Sequence, residues 1–212
     1  MTAVELDRAV TLPWLLKRAA VRTWGELPRA IGASAIIAAS LVPAVIAGLT
    51  AQWWLVAMAT LPASLSLTGL ARFAAIVQRG DRPRLRDAVA VDPVLAVTIT
   101  LVGTATWGLL SLPELRVAGC LVAAAALILV PYALSYGAVR ARPGLAAWRG
   151  AVILTAYRPS WALTVLAVTL LGGFAIVASA GALGLVVPVI LAVFSAGAVS
   201  HLLDVVDSQA GR

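Results

Sequence analysis

The chain has 212 residues, of which 62% are hydrophobic and only 12% are charged. Soluble domains carry about twice that share of charged residues, so the composition excludes an ordinary water-soluble domain and indicates that lipid is the solvent. The formal net charge of +7 comes from 16 Lys and Arg against 9 Asp and Glu. We interpret these basic residues as flanks of membrane spans rather than as a nucleic-acid surface, because they border the apolar stretches.

The N-terminal segment, residues 1–29, is predicted to be cytoplasmic, with an amphipathic helix over residues 13–29 that lies in the membrane interface. Its charged face carries Arg18, Arg22, Glu26 and Arg29. Its opposite face carries Leu16, Ala20, Trp24 and Leu27. Arg22 and Glu26 have the i,i+4 spacing of an ion pair. A helix that docks a partner is the alternative. No cleavable signal peptide is expected, so the first span would act as an uncleaved signal.

Residues 30–77 hold a single charge, Arg72, and as one helix they would be about 70 Å long, more than twice the hydrocarbon core of a bilayer. The stretch must therefore fold back, and residues 50–54 are the expected turn. Residues 93–139 and 161–203 break in the same way, at 111–116 and 179–181. Six spans result: 30–50, 53–72, 94–111, 117–138, 161–179 and 182–203.

The fold class is therefore an all-α membrane protein, with a six-helix transmembrane domain over residues 30–203 and a cytoplasmic tail over 204–212. Basic residues crowd segments 8–29, 72–86 and 140–158, whereas Arg116 stands apart. Because flanking Lys and Arg stay on the cytoplasmic side, the pattern predicts three hairpins with both termini in the cytoplasm. A five-span version, with one of the last two helices lying flat, is the main competitor.

The second and fourth spans share the pattern Pro-x-x-Leu-Ser, at residues 62–66 and 131–135, which suggests a parallel internal repeat. Prolines at matching depth point to solute sites in transporters, and the third span adds hydroxyl groups and a tryptophan. Chance, and the ordinary use of small polar residues in helix packing, explain the same pattern. The solute-site candidates are Pro62, Ser66, Thr100, Thr104, Trp107, Pro131 and Ser135.

Catalytic and metal-binding chemistry finds little support in the sequence. Cys120 is the single cysteine and His201 the single histidine, and no known catalytic motif occurs. His201 shares a helix face with Asp204, and Asp207 follows one turn later. We interpret this group as a hydrated helix end or a local pairing rather than as a metal or proton-transfer site. The chain is therefore predicted not to be an enzyme and to use neither a cofactor nor a metal.

The two inner loops are the expected contacts for lipid headgroups or for a partner. The first loop has Asp81 and Asp87 among its arginines, whereas the second has no nearby acid in sequence. Within the second loop, residues 145–148 and 152–154 predict a short interfacial helix. Topology and headgroup binding alone could account for the charges, and docking of a cytosolic subunit is the more specific reading. The contact candidates are Arg79, Arg82, Arg84, Arg86, Arg140, Arg142 and Arg149.

Two segments carry a resemblance to a known family: residues 61–66 running on through Arg79-Gly80-Asp81, and residues 145–159 leading into the fifth span. With its length and span count, the chain resembles the YesL-like family of small bacterial inner-membrane proteins. Members of that family are often associated with carbohydrate uptake systems. The resemblance implies an accessory role beside a sugar permease, and it supplies no catalytic or binding residues.

The first functional hypothesis is therefore an accessory or component of solute uptake, with carbohydrate as the solute, that contacts a permease or ATPase complex. The alternatives are a self-contained small channel or facilitator and a membrane scaffold without transport activity. Membrane lipid is a partner in each case. Ala192, Ala196 and Ser200 recur at four-residue spacing in the sixth span, which would let helices approach closely within the chain or between copies in a homo-oligomer.

Overall fold

A computed structural model describes residues 12–49, 53–179 and 181–210, and it is helical with no strand in these ranges. Two short 3₁₀ turns, Pro113–Leu115 and Ala182–Leu185, join longer helices. The α-helices of the described ranges are α1 Leu12–Gly25, α2 Leu27–Leu49, α3 Trp53–Arg79, α4 Leu85–Ala88, α5 Pro93–Ser111, α6 Arg116–Arg140, α7 Leu145–Tyr157, α8 Pro159–Ala178 and α9 Val187–Ala210.

Six of these helices, α2, α3, α5, α6, α8 and α9, are long and apolar enough to cross a membrane, which confirms the predicted number. Three boundaries differ clearly from the prediction. Helix α3 continues to Arg79 rather than ending at residue 72. Helix α9 begins at Val187, because a 3₁₀ turn occupies the start of the predicted sixth span, and it continues to Ala210 rather than ending at residue 203. Most of the turn predicted at residues 50–54 lies outside the described residues.

Local chemistry explains where several helices begin. Helix α5 starts with Asp92 as its N-cap and Pro93 as its first residue, and α8 likewise starts with Pro159. Proline suits the first helical turn because its missing N–H would have no helical partner there and its φ is already helical. The predicted helix in the second inner loop is present as the continuous helix α7.

Helix α9 forms the centre of the bundle. About 67% of its 18-residue apolar stretch is buried, against 11% of the corresponding stretch of α8. Its buried side chains include Val193, Phe194 and Leu202, and it packs on α1, α3 and α6. Ala196, one of the small residues noted in the sequence, is only 1% exposed. This position in the small-residue pattern therefore serves packing within the chain.

The periphery of the bundle is apolar. Leu171, Phe174 and Val177 on α8 are 68%, 69% and 78% exposed, and Leu101 on α5 is 63% exposed. Large contiguous apolar surfaces of this kind are unfavourable in water and are the normal exterior of helices that face lipid. Together with the six long apolar helices, they describe a multi-pass membrane protein.

The basic loops gather at one end of the bundle, which we call the basic end. Arg79 donates to the carbonyl oxygen of Val139 at 3.2 Å, which joins the end of α3 to the end of α6. Arg140 forms an ion pair with Asp207 near the end of α9. The second inner loop has no nearby acid in sequence, but folding gives Arg140 an acidic partner 67 positions away.

The predicted N-terminal helix is present as α1, but it ends at Gly25 rather than at residue 29. It packs on α9, and its buried residues, Leu15, Ala19 and Thr23, are not on the apolar face assigned from the sequence. Trp24, on the predicted apolar face, is 72% exposed. The predicted ion pair between Arg22 and Glu26 was wrong, and Glu26 pairs with Arg29 instead. The helix ends at Gly25, so the chain turns at residue 26 and the i,i+4 geometry that would bring the two side chains together is lost.

Gly69 of α3 lies directly against the short helix α4 near the basic end. A Cβ atom at this position would lie 1.8 Å from the carbonyl oxygen of Ala88, so only glycine lets α3 receive the short helix α4. We expect Gly69→Ala to lower the free energy of unfolding by about 1–3 kcal/mol, because α4 must move away. Unfolding of the purified protein in mixed detergent micelles measures this change.

Gly103→Ala is the matched control, because a Cβ there meets nothing within 4 Å. Its stability should stay level or rise slightly, since alanine favours the helical state. Equal destabilisation by the two substitutions would contradict the packing described for Gly69.

Candidate functional site: a charged cavity at the basic end

A cavity of about 430 Å³ opens at the basic end, between α3, the segment after α3, the start of α5 and the end of α6. We call it the charged cavity. Ala, Ile, Leu, Gly and Pro residues form the rest of its wall. Its polar and charged lining consists of Thr68, Arg72, Arg79, Asp87 and Asp92.

Asp92 is the buried carboxylate of this cavity, with 7% of its surface exposed. Its Oδ1 accepts a hydrogen bond from the backbone N–H of Leu95 at 3.1 Å, which caps α5. Its Oδ2 accepts one from the backbone N–H of Gly144 at 2.7 Å. Because N–H donors stabilise a carboxylate and a buried charge needs partners, these two bonds compensate for part of the cost of burial.

The backbone of Asp92 extends the network to α3. Its N–H donates to Oγ1 of Thr68 at 3.0 Å, and that hydroxyl donates to the carbonyl oxygen of Leu65 at 2.7 Å. One residue therefore joins α3, α5 and the loop that follows α6. The shape of the cavity depends on this junction.

Gly144 can take part because of its backbone conformation. Its φ is +65°, in the region that favours glycine, and a Cβ there would lie 3.0 Å from Cγ1 of Val94. A side chain at this position would thus be strained and would press on the first turn of α5. The glycine lets the N–H of the loop reach the carboxylate of Asp92.

Helix α4 closes another side of the cavity. Oδ2 of Asp87 accepts a hydrogen bond from the backbone N–H of Arg84 at 2.7 Å, which fixes the start of this four-residue helix. Ala88 then rests against Gly69 of α3. Asp87 is half-buried, so its carboxylate remains available to the cavity.

Arg72 and Arg79 supply the positive charge of the cavity. Arg79 uses one N–H for the carbonyl oxygen of Val139. Arg72 forms no hydrogen bond or ion pair with the residues that the structure describes. A guanidinium group carries five N–H donors, so most of the donor capacity of both side chains is unused.

A third arginine lies beside the end of α3. Nη1 of Arg22 is buried without a hydrogen-bond partner in the described part of the chain, and Nη2 would lie 3.8 Å from a Cβ on Gly80. Burial, and then the charge of Arg18, lower the pKa of Arg22 from its ordinary value. The position is favourable for a cation, because the C-terminal end of a helix carries partial negative charge.

Two of the four solute-site candidates with hydroxyl groups, Ser66 and Thr100, form hydrogen bonds between helices. Oγ of Ser66 lies 2.7 Å from Oγ of Ser40, and it donates to the carbonyl oxygen of Pro62 at 2.9 Å. Oγ1 of Thr100 donates to Oγ of Ser64 at 3.0 Å. These bonds join α2 to α3 and α3 to α5, as small polar residues do in membrane bundles.

The other solute-site candidates are spread along the bundle. Oγ1 of Thr104 is buried without a hydrogen-bond partner among the described residues, and Trp107 is 44% exposed. Pro131 is half-buried and Ser135 is buried. Pro62 borders an open apolar cleft between α2 and α3. None of the seven candidates lines the charged cavity, and a solute site at these residues stays a prediction.

The predicted contact arginines divide into four groups. Arg79 lines the charged cavity, and Arg140 is paired with Asp207. Arg142 and Arg149 line a smaller pocket of about 300 Å³ with Tyr136, on the other side of α6 and α7. The remaining three are exposed in the segment after α3: Arg82, Arg84 and Arg86.

His201 lies away from the charged cavity. It is 6% exposed, and its ring meets that of Trp161 edge-on at 5.7 Å. A hydrated helix end therefore describes the exposed Asp204 and not His201. Within the described ranges, no group of three or more His, Cys, Asp and Glu side chains is placed to hold a metal ion.

Sequence reasoning missed Asp92 as a site residue, and it counted Arg72 only among the basic residues that flank the spans. The pair Asp92-Pro93 contained a usable signal, because Asp followed by Pro is a typical start of a helix. The contact with Gly144 had no local signal, since the two residues are 52 positions apart.

No protein-family model, no curated protein and no solved structure matches this chain.

Removal of the Asp92 carboxylate should loosen the junction at the cavity. We expect Asp92→Ala to lower the free energy of unfolding by about 2 kcal/mol, because it removes a helix cap and leaves the Gly144 N–H without its partner. Asp92→Asn should cost less, about 1 kcal/mol, since its amide oxygen still accepts one bond. Detergent-micelle unfolding measures both.

Asp81→Ala serves as the control, because Asp81 is exposed and lies outside the cavity lining. Its effect should stay within about 0.5 kcal/mol. The junction would be wrongly described if Asp92→Ala were as stable as this control.

Proposed function

We propose that the protein is a multi-pass protein of the bacterial cytoplasmic membrane that assists solute uptake by docking a permease or ATPase subunit on its basic end. The observation that carries the proposal is a group of exposed arginines at that end, which we call the arginine surface. It consists of Arg82, Arg84, Arg86, Arg142 and Arg149.

The charge distribution supports an orientation with the basic end and both termini in the cytoplasm. The loops at that end hold most of the arginines, whereas the segment between α5 and α6 has Arg116 beside Glu114. Flanking Lys and Arg favour the cytoplasmic side of a membrane. The three predicted hairpins are supported by the packing of α2 on α3, of α5 on α6 and of α8 on α9.

The arginine surface has unused charge. The structure gives none of its five side chains an ion pair with a described residue, in contrast to Arg140. Exposed single-sign charge attracts anionic lipid headgroups and accelerates association with acidic protein surfaces. The described spans carry few charged groups, so we assign the function to the arginine surface. It docks a subunit that has an acidic contact face.

The solute assigned to the complex, carbohydrate, comes from the resemblance to the YesL-like family alone. A self-contained facilitator would need polar groups free to meet a solute. Two of its proposed hydroxyl groups, on Ser66 and Thr100, are instead hydrogen-bonded between helices. This favours the accessory role over the facilitator and leaves a scaffold without transport activity as the nearer alternative.

Quantitative co-purification from native membranes tests the docking. A tagged chain in mild detergent should bring down permease or ATPase subunits, and the double variant Arg142→Glu with Arg149→Glu should lower their recovery at least about tenfold, because like charges then face each other. Mass spectrometry against the tagged chain measures the recovery.

Arg116→Glu is the control, since it makes the same kind of substitution at one position outside the arginine surface. Its recovery of subunits should equal that of the parent chain. A parent chain that elutes without transport subunits would overturn the accessory role, and solute uptake by liposomes containing only this protein would favour the facilitator.

A further inference from the structure

We propose that the charged cavity binds a phosphorylated polyol, either as a soluble molecule or as the glycerophosphate headgroup of an anionic lipid. The inference goes beyond partner docking, because no residue of the arginine surface lines this cavity. Its volume of about 430 Å³ lies within the range of small-molecule sites.

The phosphoryl group is selected by the two arginines. Arg72 and Arg79 are seven residues apart on α3, so they share a face of the helix and lie about 10 Å apart along its axis. Side chains of this length can converge on one group between them. The planar guanidinium fork matches phosphoryl oxygens in a bidentate manner, and Arg72 has no competing partner in the described part of the chain.

The polyol is selected by the two carboxylates. Each oxygen of Asp92 accepts one backbone N–H, and one oxygen of Asp87 does so. An ionised carboxylate has about four acceptor positions, so both groups can accept further hydrogen bonds. A bare phosphate ion offers few donors and would be repelled by them, whereas the hydroxyl groups of a polyol donate to carboxylates.

The location at the basic end permits both sources of the ligand. Basic pockets between membrane helices on the cytoplasmic side bind headgroups of anionic lipids. The cavity also lies beside the exposed segment after α3, so a soluble molecule could enter from water. The chemistry of recognition is the same in both cases, and separate measurements distinguish them.

The test uses the purified full chain. In the first measurement, glycerol 3-phosphate is titrated calorimetrically into protein in a neutral detergent, with glycerol as the probe that lacks phosphate. In the second, native mass spectrometry counts phosphatidylglycerol retained by protein from bilayer discs of phosphatidylglycerol and phosphatidylcholine. Binding of glycerol 3-phosphate but not glycerol identifies a soluble ligand, and selective retention of phosphatidylglycerol alone identifies a lipid headgroup.

In either case Arg72→Gln should weaken binding at least about tenfold, because it removes a charge-assisted bidentate contact. Arg86→Gln is the matched control: Arg86 is exposed nearby but does not line the cavity, so its variant should bind as the parent does. Arg72→Lys keeps the charge and removes the fork, so it should also bind more weakly than the parent.

The proposal is overturned if the parent chain prefers neither phosphorylated probe. It is also overturned if Arg86→Gln weakens binding as much as Arg72→Gln, since general charge attraction would then explain the result. Circular dichroism and gel filtration check that each variant is folded. If Arg72→Gln is not folded, Arg72→Lys tests the role of Arg72 in binding. Loss of binding here would leave docking on the arginine surface intact.

Discussion

The apolar periphery of the bundle is the constraint on which the rest of the structure depends. Side chains such as Leu171 and Phe174 are about as exposed as surface residues of soluble proteins, yet they offer water nothing to bind. In lipid, backbone polar groups must be satisfied within the chain, so long helices form and polar side chains either bond between helices or move to the ends. Ser40 with Ser66, and Thr100 with Ser64, form such bonds between helices.

The charged residues lie at the ends of the helices, chiefly at the basic end. There Asp92 forms a junction of hydrogen bonds that joins three parts of the chain: its carboxylate accepts from Leu95 and Gly144, and its backbone N–H donates to Thr68. The charged cavity lies beside this junction, and Asp87 and Asp92 are part of its lining. Structure and candidate site thus have one origin, the exclusion of charge from the hydrocarbon.

Much of the fold was predictable from sequence because hydropathy reports the solvent directly. The long run over residues 30–77 exceeds the bilayer thickness, and its folding back into two helices follows from length alone. The order of packing was not predictable in this way. Helices α8 and α9 are similarly apolar, yet 11% of the apolar stretch of α8 is buried and 67% of that of α9. Only tertiary contacts distinguish the two helices.

The candidate site was less predictable than the fold, because its contacts are distant in sequence. The cap formed by Asp92 has a local signature, whereas its bond to Gly144 and the ion pair between Arg140 and Asp207 depend on the folded arrangement. The end of α1 at Gly25 shows the same limit on a smaller scale. Because the chain turns at residue 26, Glu26 pairs with Arg29 and not with Arg22.

Cysteine accessibility in intact spheroplasts tests the membrane orientation most directly. With Cys120 replaced by alanine, single cysteines are introduced as Asp81→Cys, Arg149→Cys and Glu114→Cys, and each is exposed to a maleimide that cannot cross the membrane. The orientation proposed here predicts labelling at position 114 in intact spheroplasts, and labelling at positions 81 and 149 only after permeabilisation. Labelling of position 81 or 149 in intact spheroplasts would contradict it.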